Sequence, residues 1–206
     1  MGSQDNGRGT PRLEISGLGS AVIRDVSLRL EPGEGRAVVG PSGSGKTSLF
    51  RAIADLDPNE GEIMLSGRAR SATPAPEWRR CVAYVPAEPG WWLTLAGEHV
   101  PPEATPMVER LGLSLGLLEK PVSALSTGER QRLALAIAFA REPEVLLLDE
   151  PTSALDEENR DAVEAAVRDM LAGGAAMLIA SHDRGQVERL GLATLYMKDG
   201  RLEAGT

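Results

Sequence analysis

The spacing of apolar and polar positions changes several times along the chain, and each change predicts an element. Residues 13–30 open with LEIS, pass through Gly-Leu-Gly-Ser and continue as AVIRDVSLRL, whose second half alternates apolar and polar side chains. A β-hairpin with its turn at the glycines is expected there. After Glu-Pro-Gly-Glu, RAVVG (36–40) reads as a short buried strand that runs into a helical pattern over 41–56. GEIMLSG (61–67) and CVAYV (81–85) read as further strands, and from 97 to about 118 the pattern weakens into a loop with one or two helices. A long helix is expected from Ser126 to about Arg141, followed by a strand at EVLLLDE (144–150), a helix over 157–171 and a strand at AAMLIAS (175–181). A short helix over 184–190 and a hairpin over 193–205, with Asp199-Gly200 in its turn, close the chain.

Apolar strands alternating with helices predict an α/β fold: a mostly parallel sheet covered on both faces, with an antiparallel edge at the N-terminal end. Residues 1–11 are polar and glycine-rich and are read as a flexible tail. That leaves 12–206 as one domain, with a small helical insert over about 89–122.

Composition narrows the classes. A chain of 206 residues buries a core without disulfides, and no apolar run approaches the roughly 18 residues that cross a bilayer. Cys81 is the single cysteine and reads as core filler; no charged segment followed by an apolar stretch opens the chain, so a reducing cytoplasm is expected. The formal charge of −8 argues against a nucleic-acid partner, because phosphate backbones are gripped by clustered Lys and Arg.

Residues 40–47, GPSGSGKT, match the G-x-x-x-x-G-K-[ST] pattern between a strand and a helix. Glycines at Gly40, Gly43 and Gly45 allow the tight turn that, together with Pro41, Ser42, Ser44 and the helix start through Ser48, aims N–H groups at phosphate oxygens. Lys46 supplies a positive charge for the β- and γ-phosphates, and Thr47 a hydroxyl to Mg²⁺. The strand VLLLDE ends in Asp149 and Glu150 at the edge where ligands bind in open α/β sheets. Asp149 suits Mg²⁺ and Glu150 the attacking water; alone, the two acids suit a solvated strand end as well, and the phosphate loop favours catalysis.

LSTGERQRLALA (125–136) strongly resembles the signature of the ATP-binding cassette family, and SALD (153–156) and ASHD (180–183) resemble its D-loop and switch histidine. With the phosphate loop, these motifs follow the family's order over nearly the whole chain after Leu13. The resemblance implies a P-loop NTPase fold with a helical subdomain, and an ATP hydrolase that uses Mg²⁺. Glu150 and His182 would act on water and γ-phosphate, while Ser126 and Gly128 would complete the site of a second copy or a homologous subunit, with Asp156 linking the two. It further implies an integral-membrane permease as partner and a peripheral position on the cytoplasmic face of the membrane. Ser126-x-x-Glu129 is also a capping box in its own right. His99 has no motif around it and is left as a surface residue.

The pattern departs from the family in two places. No aromatic residue precedes Phe50 to stack on adenine, which leaves Val22 or Ile23 to cover the base. In YVPAEP, Ala87 stands where the family has a glutamine, and Glu88 is the neighbouring polar residue. Trp91 and Trp92 follow, where the partner's helix docks in the family. DEPTSALDEEN has some resemblance to a metal-export group. Competing readings are a soluble member of the family acting in repair, translation or cofactor assembly, a P-loop kinase, and a nucleotide-binding module that does not hydrolyse.

Overall fold

The computed structural model describes residues 9–204. The expected tail lies largely outside the described residues. In chain order the elements are β1 (Leu13–Gly19), β2 (Val26–Leu30), β3 (Gly35–Val39), α1 (Lys46–Ile53), β4 (Glu60–Leu65), β5 (Arg68–Ala69), α2 (Ala75–Cys81) and β6 (Val82–Val85). They continue as α3 (Thr105–Arg110), α4 (Thr127–Phe139), β7 (Val145–Asp149), α5 (Glu157–Ala172), β8 (Ala176–Ala180), α6 (Arg184–Arg189), β9 (Ala193–Lys198) and β10 (Arg201–Ala204). Short 3-10 turns fill much of 96–124.

Two sheets form. The larger has six strands in the order β10-β9-β3-β8-β7-β6, parallel except for the β9–β10 hairpin. β7 and β8 are buried along their whole length, which suits strands with helices on both faces. Val145 and Leu147 pack into one core, and Leu146 and Leu148 into the other, as strand alternation requires. The N-terminal edge is a separate antiparallel sheet, β2-β1-β4-β5. β4 belongs there because only Ile63 and Leu65 along it are buried, the pattern of a one-sided strand.

The first hairpin differs from expectation. β1 continues through Gly17 and Gly19, and its pairing shifts register between Ile15 and Leu18. Gly17 has φ +62° and lies so close to Gly61 that a Cβ on Gly61 would sit 2.4 Å from the Gly17 carbonyl oxygen. The glycines thus make a bulge. The turn comes later, where Ser20 Oγ accepts from the N–H groups of Val22 and Ile23.

α2 is not expected from the pattern, since it follows Pro74 and has Pro76 in its first turn. Prolines at a helix start cost nothing, because those N–H groups have no helical acceptor. Trp78 on α2 is fully buried and its Nε1 donates to the Ile53 carbonyl at 2.9 Å, pinning α2 to the end of α1. Cys81 closes α2 and is half-buried against the core, so β6 begins one residue later than expected. Between β6 and α4, α3 and the 3-10 turns pack Val108, Leu111 and Leu117 against Leu133 and Phe139 of α4. Arg132 Nη1 donates to the carbonyls of Leu111 and Gly112 at 2.8 and 2.9 Å, which fixes this segment on α4.

Because β3, β8, β7 and β6 are parallel, the segments that leave their C-terminal ends share one edge. Residues 40–47, 149–150, 181–182 and 86–92 therefore emerge together.

Candidate functional site

The loop after β3 depends on backbone freedom at Gly40 and Gly45. At Gly40 (φ +157°) a Cβ would lie 2.1 Å from the Met197 carbonyl oxygen, so no other residue fits against β9. Gly45 (φ +110°) is the N-cap of α1 and brings no side-chain cap, and the first turn has no acidic residue. The N–H groups of that turn are left for an anion. Lys46 Nζ donates to the carbonyls of Gly40 and Pro41 at 2.8 and 3.1 Å, holding its charge over the loop. Pro41, Ser42 and Gly43 form the exposed apex, Ser44 is buried, and Ser48 is half-buried on the first turn of α1. Gly200 N donates to the Ser44 carbonyl at 3.0 Å, so the β9–β10 turn braces the loop from behind.

Across the sheet edge, Thr47 Oγ1 donates to Asp149 Oδ2 at 2.6 Å. A hydroxyl and a carboxylate at this distance are hard oxygen donors suited to Mg²⁺, an ion that takes one or two protein ligands with phosphate and water for the rest. Among the described residues no group of three His, Cys, Asp or Glu forms a metal cluster. Glu150 follows with a left-handed backbone (φ +49°), its N–H bonded to the Ala180 carbonyl at 2.9 Å. That turn carries its carboxylate to the end of β8, where Glu150 Oε1 lies 2.8 Å from Nδ1 of His182. A cleft of about 940 Å³ runs from Gly40 and Pro41 past His182 to Tyr196.

Three groups at this edge were missed from the sequence. Tyr84 OH lies 3.5 Å from Asp149 Oδ2, because Tyr84 pairs with Leu147, and Leu147 and Asp149 share a strand face. Burial first, and then the Asp149 charge, push the phenol pKa up to about 12. Gln186 Nε2 donates to Thr152 Oγ1 at 2.7 Å, both residues being buried, and ties α6 to the turn after Glu150. Arg189 makes a forked pair with buried Glu164 of α5 and reaches Asp183 beside His182 at 3.5 Å. Apart from Arg189 with Asp183, these pairs lie far apart in the chain, so no sequence pattern announces them.

The signature segment is placed apart from the loop. Ser126 Oγ accepts from Glu129 N at 3.1 Å and Glu129 Oε2 accepts from Ser126 N at 2.7 Å, the full capping box at the start of α4. The Ser126 N–H bond, ahead of burial acting the other way, holds the Glu129 carboxyl below its usual range. Glu129 is thereby turned back on its own helix. Gly128 faces the Ala154 carbonyl, where a Cβ would come within 3.0 Å, so α4 begins against the turn that precedes Asp156. Asp156 itself caps α5, accepting from Asn159 N at 3.0 Å. Among the described residues no hydrogen bond joins Ser126 or Gly128 to residues 40–47.

The family description "ABC transporter" matches residues 23–153. The chain belongs to the ABC transporter family. Members of that family bind ATP with Mg²⁺ and hydrolyse it. Over 213 residues the chain is 37% identical to the Fe(3+) ions import ATP-binding protein FbpC 2 of Rhodococcus jostii, covering 94% of this chain and 61% of that protein. The chain thus spans about six-tenths of such FbpC relatives. It is 38% identical to the lipoprotein-releasing system ATP-binding protein LolD of Maricaulis maris, covering 88% of this chain and 87% of LolD. Among solved structures, an ATP binding subunit of an ABC transporter aligns with TM-score 0.83 at 27% identity, over 94% of this chain and 89% of that one. The dimeric post-hydrolysis cassette MJ0796 bound to ADP and Pi aligns with TM-score 0.82 at 23% identity, over 93% and 98% of the two chains, and shares the fold. The relatives' names do not support the resemblance to a metal-export group.

As an ABC protein the chain keeps its two departures. Val22 and Ile23 both stand beside Gly45 at the start of α1, Ile23 fully buried and Val22 44% exposed. Ala87 is half-buried after β6, and Glu88 is exposed with no hydrogen bond among the described residues. His99 is no bare surface residue: its ring meets Trp91 and Trp92 edge-on, with centroids 4.9 and 4.8 Å away. The two tryptophans part company, Trp91 packing against the core while Trp92 is 80% exposed. With Leu56, Tyr84 and Ile137 they line a groove of about 330 Å³, rimmed by Arg79 and Arg141. Trp91 Nε1 is buried there with no acceptor among the described residues. No helix of the described residues is long and apolar enough to cross a membrane.

Proposed function

We propose that this chain is the ATP-hydrolysing subunit of a membrane transporter. In this reading it sits on the cytoplasmic face of the membrane, against an integral-membrane permease, and closes with a second copy or a homologous subunit around two Mg-ATP. The observation that carries the reading is the convergence of Lys46, Thr47, Asp149, Glu150 and His182 on one sheet edge, next to a groove with an exposed tryptophan.

Each residue then has a defined task. The α1 N-terminus and Lys46 bind the phosphates; Thr47 and Asp149 would hold Mg²⁺, which when bound offsets phosphate charge. Glu150 orients the attacking water and accepts its proton, and His182, held by Glu150, meets the γ-phosphate oxygens. Ser126 and Gly128, at a helix start away from this edge, serve the nucleotide of the facing subunit, and Asp156 lies at the seam. Closure is favoured by contacts that exist only with the γ-phosphate, so hydrolysis reopens the pair. The groove receives a short segment of the permease, with Trp92 as anchor and the buried Trp91 N–H awaiting an acceptor. The import named for FbpC and the lipoprotein release named for LolD make transport the general class, and the cargo path belongs to the permease.

The test is co-purification from the native host. The tagged chain is expected to bring down an integral-membrane protein, and the Trp91→Ala, Trp92→Ala double variant to lose it while still binding ATP. A ribosome, DNA or cluster-assembly partner in place of the membrane protein would overturn transport.

A further inference from the structure

Tyr84 belongs to both regions that this function needs. Its ring lines the groove, and its hydroxyl lies 3.5 Å from Asp149 Oδ2, the same oxygen that accepts from Thr47 at 2.6 Å. The ring also meets buried Phe50 edge-on at 6.5 Å, so it is held on one side by the α1 core and open on the other toward the groove. Ala87, three residues further along the same segment, offers only a methyl group. No other side chain between β6 and Trp92 makes a hydrogen bond to Thr47, Asp149 or Glu150 among the described residues.

We propose that Tyr84 is a positioning residue that joins the partner groove to the metal-binding carboxylate: its hydroxyl orients Asp149, and a segment seated in the groove displaces that hydroxyl through the ring. The inference rests on the groove being the docking surface for the permease. Its chemistry is that of an outer-layer hydrogen bond to a metal ligand, which sets the ligand's orientation without touching the ion. Docking would thereby alter the Mg²⁺ site directly, along a route that needs no glutamine at Ala87.

Tyr84→Phe removes the hydroxyl and keeps the ring on Phe50. Binding of Mn²⁺ to the ATP-loaded protein, followed by electron paramagnetic resonance, is expected to weaken about tenfold in this variant, with ATP affinity in EDTA unchanged. Mn²⁺ affinity within about twofold of the native protein would overturn the proposal. The groove arm uses Gly90→Phe, since Gly90 lines the groove and a Cβ there meets nothing within 4 Å. This substitution is expected to shift Mn²⁺ affinity when Tyr84 is present and to have no effect in the Tyr84→Phe background. Equal shifts in both backgrounds, or none in either, would remove Tyr84 as the link. No permease takes part in these measurements, so their failure is distinct from a failure of the tryptophan variants to release the partner.

Discussion

Glu150 Oε1 and His182 Nδ1 lie 2.8 Å apart, joining the ends of two neighbouring parallel strands. The His182 side chain is 76% exposed and this pair is its one side-chain anchor among the described residues, so in the proposed function Glu150 would both serve the attacking water and aim the imidazole. That shared duty makes the two residues a unit rather than two independent groups.

His182→Ala is therefore expected to lower kcat for ATP hydrolysis about 100-fold while ATP affinity stays within about threefold. Phosphate release and a fluorescent-nucleotide titration separate the two. In Glu150→Gln, adding His182→Ala should cost little more, because the pair acts together. Full additivity of the two losses would contradict the shared role.

The buried contact between Gln186 and Thr152 should set the position of α6 and thus of His182. Thr152→Val keeps the shape but leaves the Gln186 amide without its acceptor, at a cost of about 1–3 kcal/mol in stability. Turnover is expected to fall about tenfold, with ATP affinity retained, and Thr152→Ser to restore it. If Thr152→Val lost stability with turnover intact, the contact would be purely structural.

Ser126→Ala should destabilise the start of α4 by about 1 kcal/mol, seen as a lower midpoint in urea unfolding. Glu129 adds a pH dependence. Its folded-state pKa is depressed, chiefly by the Ser126 N–H, so its contribution is present above the ordinary glutamate pKa and is lost as pH falls through the depressed value. The gap in stability between native protein and Glu129→Gln should accordingly narrow on acidification.

Val22 is the exposed side chain beside the α1 start, and an aliphatic residue covers a base poorly. Val22→Tyr should tighten ATP by about 1–3 kcal/mol through stacking. Inorganic tripolyphosphate, which has no base, should bind both proteins alike. Competition against a fluorescent nucleotide measures this, and equal gains for ATP and tripolyphosphate would place Val22 away from the base.

Contiguous chemistry is legible in the order of residues. GPSGSGKT, LSTGE and VLLLDE each put their working groups within one turn or one strand end, where spacing alone fixes direction, and the capping box of Ser126 and Glu129 forms as its four residues imply. Elements are harder to read where local signals conflict with packing. Gly17 and Gly19 look like a turn and flank a bulge, where Gly17 takes φ +62° and β4 comes so close that Gly61 opposite it must be glycine. α2 hides behind prolines, and only the burial of Trp78 reveals why it forms.

By itself, then, the sequence determined the α/β class, the phosphate loop, the acidic strand end and the order of the cassette motifs, because those depend on neighbours along the chain. The tertiary structure decided what crosses between segments: Tyr84 on Asp149, Gln186 on Thr152, and His99 between two tryptophans. Those meetings follow from which strands pair and in what register. Such information is spread across segments far apart in the chain and takes effect only once the sheet has closed.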